Sequence, residues 1–359
     1  MNIIDYIRKY GDKSFNEKPI NEVDKLIFAS LSYVDFKDTV NNNSKIKRSI
    51  SDVSKDFFNK KYDKTKNITA IKGAIKLLKL MGNSIRYKDL LLYNFERIVN
   101  EKQQFSALTI EINKRLVYVS FEGTDEAMIG WEEDFRMSYK FPVISQKSAI
   151  KYINKHFLFK NVDIIVGGHS KGGNLALVSC MYANIFVRNK IKEVYSYDGP
   201  GLLKKQLISK KYKRIENKFK HVIPNNSLVG MMLYSTNDVV IKTKSVGMVS
   251  HFYLKWLVTE NDLVYDELKP SSVELNKKLD GWIEKYTKEQ KKTFVKEMFD
   301  VFRKNNIDSL LDMLIKPMVI IRILSDASKL EEQTSIMYKE FTSMVRVYFT
   351  KSIKEKIIP

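Results

Sequence analysis

Val162-Asp-Ile-Ile-Val-Gly-Gly-His-Ser-Lys-Gly-Gly-Asn-Leu-Ala176 decides the fold. Its first five residues are short and almost wholly apolar, as a strand covered on both faces would be. A helix is expected from Lys171, and Gly168-His169-Ser170-Lys171-Gly172 between them is a G-x-S-x-G. A serine at the tip of a tight strand-to-helix turn takes strained backbone angles that push its hydroxyl out of the sheet. The residues two before and two after it then come so close that only very small side chains fit. Gly173 and Ala176 let the helix lie against the neighbouring strand. The helix N-terminus and the Lys171 backbone N–H face the space where an oxyanion would form. Ser170 is therefore the candidate nucleophile.

Working outward, the chain alternates strands and helices. Phe105–Ile112 alternates in polarity, Asn113-Lys114 turns, and Leu116–Phe121 returns as the second arm of a hairpin. A helix over Val143–Phe157 precedes the quoted stretch. A strand at Glu193–Tyr197, a helix near Leu202–Ile215 and a strand at His221–Ile223 follow it. That order predicts βαβ units and a mainly parallel sheet. Residues 1–100 read mostly helical, with helices over Asn21–Phe36 and Ile68–Met81 around a polar stretch at 37–66. From Pro270 the pattern is helical again. Ser271-x-x-Glu274 and Thr287-x-x-Gln290 are expected as capping boxes, Pro317 as an interruption, and Ile336–Ile358 as a basic amphipathic tail.

Composition excludes several classes. The 359 residues carry 62 Lys+Arg against 42 Asp+Glu, a formal charge of +20, and 44% hydrophobic residues rule out global disorder. One cysteine, Cys180, leaves no disulfide framework or cysteine metal site, and no cofactor or metal is required. The N-terminus has no apolar signal core and no apolar run reaches a membrane span, so a cytoplasmic location is expected. The lysines are scattered and no nucleic-acid motif accompanies them, which disfavours a nucleic-acid partner; an anionic membrane surface stays open.

A serine nucleophile needs a histidine base, and the base needs an acid. Of His156, His169, His221 and His251, the last lies in a loop past the final strand, where the base belongs. His221 reads as a core residue, and His169 is too close to Ser170 to turn onto it. The acid is Asp198, at a strand's carboxyl end, or alternatively Asp238, at a strand's start. Phe121-Glu-Gly-Thr-Asp125 is the loop for the second oxyanion donor, with the Thr124 N–H, and its hydroxyl, as candidates beside Lys171. Trp131 covers that loop, and Asp134 is expected to pair locally. The Lys171 side chain would put a positive charge beside the nucleophile and favour an acidic acyl group.

Phe-Glu-Gly-Thr at 121–124 with Trp131, Asp134 and Gly-His-Ser-x-Gly-Gly resembles the class 3 lipases, which carry Phe-Arg-Gly-Thr/Ser, Trp-x-x-Asp and Gly-His-Ser-Leu-Gly-Gly. More similar still is a bacterial lipase-like family of α/β-hydrolases with Gly-His-Ser-Lys-Gly-Gly-Asn-Leu-Ala, an Asp-Gly-Pro-Gly strand end and a late His before an aromatic segment. The likeness spans roughly residues 1–300. It implies an α/β-hydrolase fold and an acyl hydrolase, without fixing a substrate. Glu122 replaces the lipase Arg, and Ile223-Pro-Asn-Asn-Ser-Leu228 lacks the acid that lipases place there.

The expectation is thus an α/β fold: an N-terminal helical segment (1–103) packing on an α/β-hydrolase core (104–265), then a C-terminal helical extension (266–359). It would cleave a carboxylic ester or thioester through Ser170, His251 and Asp198 (alternatively Asp238), by way of an acyl-enzyme. The helical additions would cover the site as a lid. The alternative from another class is a non-catalytic module of the same fold that binds anionic lipid or a protein partner.

Overall fold

The computed structural model describes residues 1–60, 69–125, 128–305 and 331–357. Ile68 and Pro317 of the expected helical stretches, and Ile358 at the end of the tail, lie outside them. One eight-stranded sheet runs through the centre, with its strands side by side in chain order. They are β1 (Arg48–Ser49), β2 (Leu91–Asn100), β3 (Gln103–Asn113), β4 (Leu116–Phe121), β5 (Asp163–His169), β6 (Ile191–Tyr197), β7 (Phe219–Pro224) and β8 (Asp238–Ile241). Neighbours pair antiparallel from β1 to β4 and parallel from β4 to β8. This is an α/β-hydrolase-type fold with a mixed, mainly parallel sheet.

The helices ahead of β5 are α1 (Ile3–Tyr10), α2 (Glu22–Leu31), α3 (Ile50–Asn59), α4 (Thr69–Gly82), α5 (Met128–Arg136) and α6 (Ile144–Phe157). Those after β5 are α7 (Lys171–Met181), α8 (Ile185–Arg188), α9 (Lys204–Leu207), α10 (Lys210–Lys213), α11 (Pro270–Lys285), α12 (Lys288–Lys304) and α13 (Glu332–Ile357). Parallel strands laid down in one direction need crossovers of one hand, and these fall on one face. Val117, Val119 and Phe121 of β4 and Ile164 and Val166 of β5 meet Tyr152 and Phe157 of α6 and Leu175 and Val178 of α7 there. The alternate residues Tyr118, Ile165, Tyr195 and Tyr197 point to the other face, which no crossover reaches. The N-terminal helices cover it, with Leu26 and Phe28 of α2, Leu77 of α4, and Tyr253 and Trp256 from a late loop.

Some local expectations change. Leu91–Asn100, within the segment expected to be helical, is a ten-residue strand, so residues 1–103 contribute two strands as well as helices. Asn94 sits at positive φ where the β2–β3 register shifts, a bulge that breaks the alternation a strand would otherwise announce. The single helix expected near Leu202–Ile215 is two one-turn helices, α9 and α10. The Thr287 box forms, but Ser271 does not cap. Pro270 already occupies the first helical turn, and the Ser271 N–H and hydroxyl both donate to Glu355 of α13. The apolar residues Met337, Tyr338 and Tyr348 of the tail are buried against α11 and α12, so that face is occupied within the molecule. No helix among the described residues is long and apolar enough to cross a membrane.

The N-terminal layer is tied together by one buried ion pair. Arg86 Nε donates to Asp24 Oδ1 at 2.8 Å, Tyr87 Oη donates to the same oxygen at 2.6 Å, and both charged side chains are fully buried. Nη2 makes a second bond to Asp24, at Oδ2, and the other guanidinium protons go to the carbonyls of Lys13, Lys18 and Pro19, so the segment before α2 folds around this one cation. Removing one partner strands the other in a site without water. Asp24→Ala should lower unfolding stability by about 3–5 kcal/mol in urea titration; a loss under about 1 kcal/mol would mean the pair carries no such weight.

Candidate active site

The site lies at the carboxyl ends of β4, β5, β6 and β7, where loops leave the sheet together. Ser170 follows β5 with φ 56° and ψ −132°. A side chain cannot fit beside this turn. A Cβ added at Gly168 would sit 2.4 Å from the Gly172 carbonyl group, and one at Gly172 would sit 2.1 Å from Phe121 O. The Ser170 N–H donates to Tyr197 O of β6 at 2.9 Å, which ties the turn to the neighbouring strand. Lys171 opens α7, so its N–H is one of the four that a helix leaves without an intrahelical acceptor.

Asp198 follows β6, also at positive φ, and is fully buried. Its Oδ2 accepts from His251 Nδ1 at 2.6 Å. Its Oδ1 accepts from Ser227 Oγ at 2.5 Å and from the Gly230 N–H at 3.0 Å. Burial alone would push this carboxyl up, but the bond and charge of His251 and the bond from Ser227 outweigh it and hold Asp198 below the ordinary range. The structure therefore joins Asp198 to His251, and Ser227–Asp198–His251 is a network of the residue types a serine-hydrolase triad uses. It puts Asp238 elsewhere. Asp238 starts β8 opposite His221 in the parallel register, and its Oδ1 accepts from His221 Nδ1 at 2.7 Å. Neither Ser170 Oγ nor His251 Nε2 has a hydrogen-bond partner among the described residues.

His169 holds the base loop. Its Nε2 donates to the His251 carbonyl and its Nδ1 accepts from Tyr33 Oη, both at 2.8 Å. Burial first, and then the charge of His251, push its pKa down to about 3, so it stays a neutral ring with a fixed proton. The roles of Ser227 and Tyr33, and of Arg97, Gln104 and Glu133 below, are not announced by the sequence. Their partners lie far along the chain, and no local pattern marks them.

The β4 loop carries Thr124. Its hydroxyl donates to Asp134 Oδ2 of α5 at 2.6 Å, so that proton is already engaged and the backbone N–H is the free donor. Glu122, where lipases have arginine, accepts from Arg97 of β2 at 2.6 Å, and Arg97 also reaches Asp125 at 2.6 Å. The guanidinium is supplied by another strand. The Lys171 side chain corrects an expectation. It is fully buried, with Nζ donating to Gln104 O at 2.8 Å and Glu133 Oε2 as its counter-charge at 3.6 Å, so it offers no cation to a substrate.

Above these loops α5, α12 and α13 border an apolar, partly open cavity of about 150 Å³. Trp131, Phe135, Met298, Phe302, Phe341 and Phe349 line much of it. Asp134, whose carboxylate accepts from Thr124, and Pro200, two residues past Asp198, border it. Among the described residues no cluster of three His, Cys, Asp or Glu could hold a metal ion. Burial pushes the Cys180 thiol up to about 12, which leaves it inert.

A family model described as Mbeg1-like matches residues 81–300, more than half the chain. Among solved structures the chain is similar to the crystal structure of M37 lipase, at 14% identity and a TM-score of 0.32, over 59% of this chain and 69% of that one. No curated protein matches.

Asp134 yields a pH test. Burial raises its pKa to about 6, and its second oxygen has no partner. The folded state then keeps a proton that the unfolded chain releases near pH 4, so stability falls as pH rises from about 4 to about 6. The fall attributable to Asp134 should be about 3 kcal/mol. Denaturant midpoints of wild type and Asp134→Asn across this range should diverge accordingly; parallel curves would show that Asp134 is ionised throughout.

Proposed function

The chain belongs to the Mbeg1-like family, and we propose that it is a serine acyl hydrolase in which Ser170 attacks a carboxylic ester or thioester. The observation that carries this reading is the Ser170 backbone, in the conformation of a nucleophile elbow at the head of α7, next to the Asp198–His251 pair. Because ionised Asp198 only accepts, His251 Nδ1 carries the proton and Nε2 keeps its lone pair. His251 Nε2 then takes the Ser170 proton as Oγ bonds to the carbonyl carbon. The backbone N–H groups of Lys171 and Thr124 receive the oxyanion. Collapse of the tetrahedral intermediate expels the alcohol or thiol, protonated by His251, and leaves an acyl-enzyme that water cleaves by the same route.

Ser227 is the other serine within this network, and its bond argues against it as nucleophile. Its hydroxyl donates to the acid rather than to the base, so it helps hold Asp198 for His251. Fluorophosphonate labelling separates the two. Wild type and Ser227→Ala should both be labelled and Ser170→Ala should not; labelling of Ser170→Ala, or none of wild type, would sink the proposal.

The cavity supports an apolar, short acyl portion, since a dry protein cavity of about 150 Å³ takes a benzene-sized solute. Hydrolysis of p-nitrophenyl butyrate should exceed that of the dodecanoate by at least tenfold in kcat/KM. A preference for the longer chain would count against closure of the site by α12 and α13.

A further inference from the structure

Lysine at 171 poses a chemical problem that its surroundings answer. An ammonium has three N–H donors and no acceptor, and burying it is costly unless those donors are met. Nζ donates to both the backbone carbonyl and the side-chain Oε1 of Gln104, with Glu133 as the nearby counter-charge. α5 closes over this cage. A Cβ added at Gly130 would lie 2.9 Å from Gln104 Oε1 and 3.3 Å from Lys171 Nζ.

The cation fixes which way the Gln104 amide faces. With Oε1 on the ammonium, Nε2 turns to the β4 loop and donates to Gly123 O at 3.0 Å and to Glu122 Oε2 at 3.3 Å. The peptide joining Gly123 to Thr124 is planar and trans, so its C=O and N–H point in opposite directions. Drawing the Gly123 carbonyl onto Gln104 aims the Thr124 N–H away from Gln104, and that N–H meets no acceptor among the described residues.

We propose that the Lys171 side chain is a positioning residue, which sets the direction of the Thr124 N–H by way of Gln104 and the Gly123 carbonyl. The inference rests on the acyl-hydrolase reading for its catalytic meaning. One residue then serves the oxyanion position twice. Its backbone N–H is one donor, and its side chain aims the other. The leucine of the class 3 lipases, having no donor, could not orient an amide in this way.

The test uses Lys171→Met, which keeps the backbone N–H, and Gln104→Glu, which keeps an oxygen for the ammonium but removes the donor to Gly123 O. Crystal structures of both should show the Gly123–Thr124 peptide rotated from its wild-type direction. With p-nitrophenyl butyrate, kcat should fall roughly 10²–10³-fold, the loss seen when one oxyanion donor is removed. KM should stay within about threefold, a split that general loosening would not give. If Lys171→Met fails to fold, with Glu133 left unpaired, Gln104→Glu decides alone. An unmoved peptide in Gln104→Glu, or unchanged kcat, overturns the inference. Wild-type protein that neither labels nor hydrolyses would remove the acyl-hydrolase reading, while the peptide direction in the variants would still decide the brace.

Discussion

The sheet's parallel strands advance in a single direction, so every crossover helix lands on the same side. The N-terminal helices accommodate the side left bare. Strands apolar on both faces need a second layer to exclude water, and residues ahead of the sheet supply it. That layer is not passive. Tyr33, just past α2, holds His169, and His169 holds the carbonyl of His251. Trp256, buried under the same layer, donates its indole N–H to Ser250 O. The residues that complete the core thus also fix the loop carrying the candidate base.

Charge is distributed unevenly. The net +20 arises from lysines spread through the chain, whereas the β4 loop is built from acids buried around two cations. Arg97 draws in Glu122 and Asp125, and Lys171 sits with Glu133. These contacts are shielded from salt, unlike the surface ones. Sequence-level charge counting sees only the excess, which is on the outside. The two cations and three acids of the interior, which shape the site, leave almost no mark on that sum.

What was legible in the sequence was whatever is encoded locally. The strand, turn and helix around Ser170 are written in fifteen consecutive residues, because the close approach of Gly168 and Gly172 allows little else. The preference for Asp198 over Asp238 followed from which end of a strand each occupies. Two kinds of feature escaped. β2 was lost because a bulge at Asn94 interrupts its alternation. Ser227, Tyr33, Gln104 and Arg97 were lost because each acts on partners distant in the chain, through hydrogen bonds that leave no periodic trace. Ser271 shows the converse. Its motif was intact, but Pro270 and the distant Glu355 took its groups.

The cavity over the site draws most of its walls from α5, α12 and α13, with Pro200 and Met248 from the loops that also carry Asp198 and His251, and Leu228, Val229 and Met232 from the loop after β7. Part of the lining, from α12 and α13, is therefore recorded in a stretch of the gene apart from Ser170, Asp198 and His251. Drift in the C-terminal helices would reshape the cavity while leaving those three residues in place, so on the acyl-hydrolase reading fit could change without disturbing the sheet that holds them.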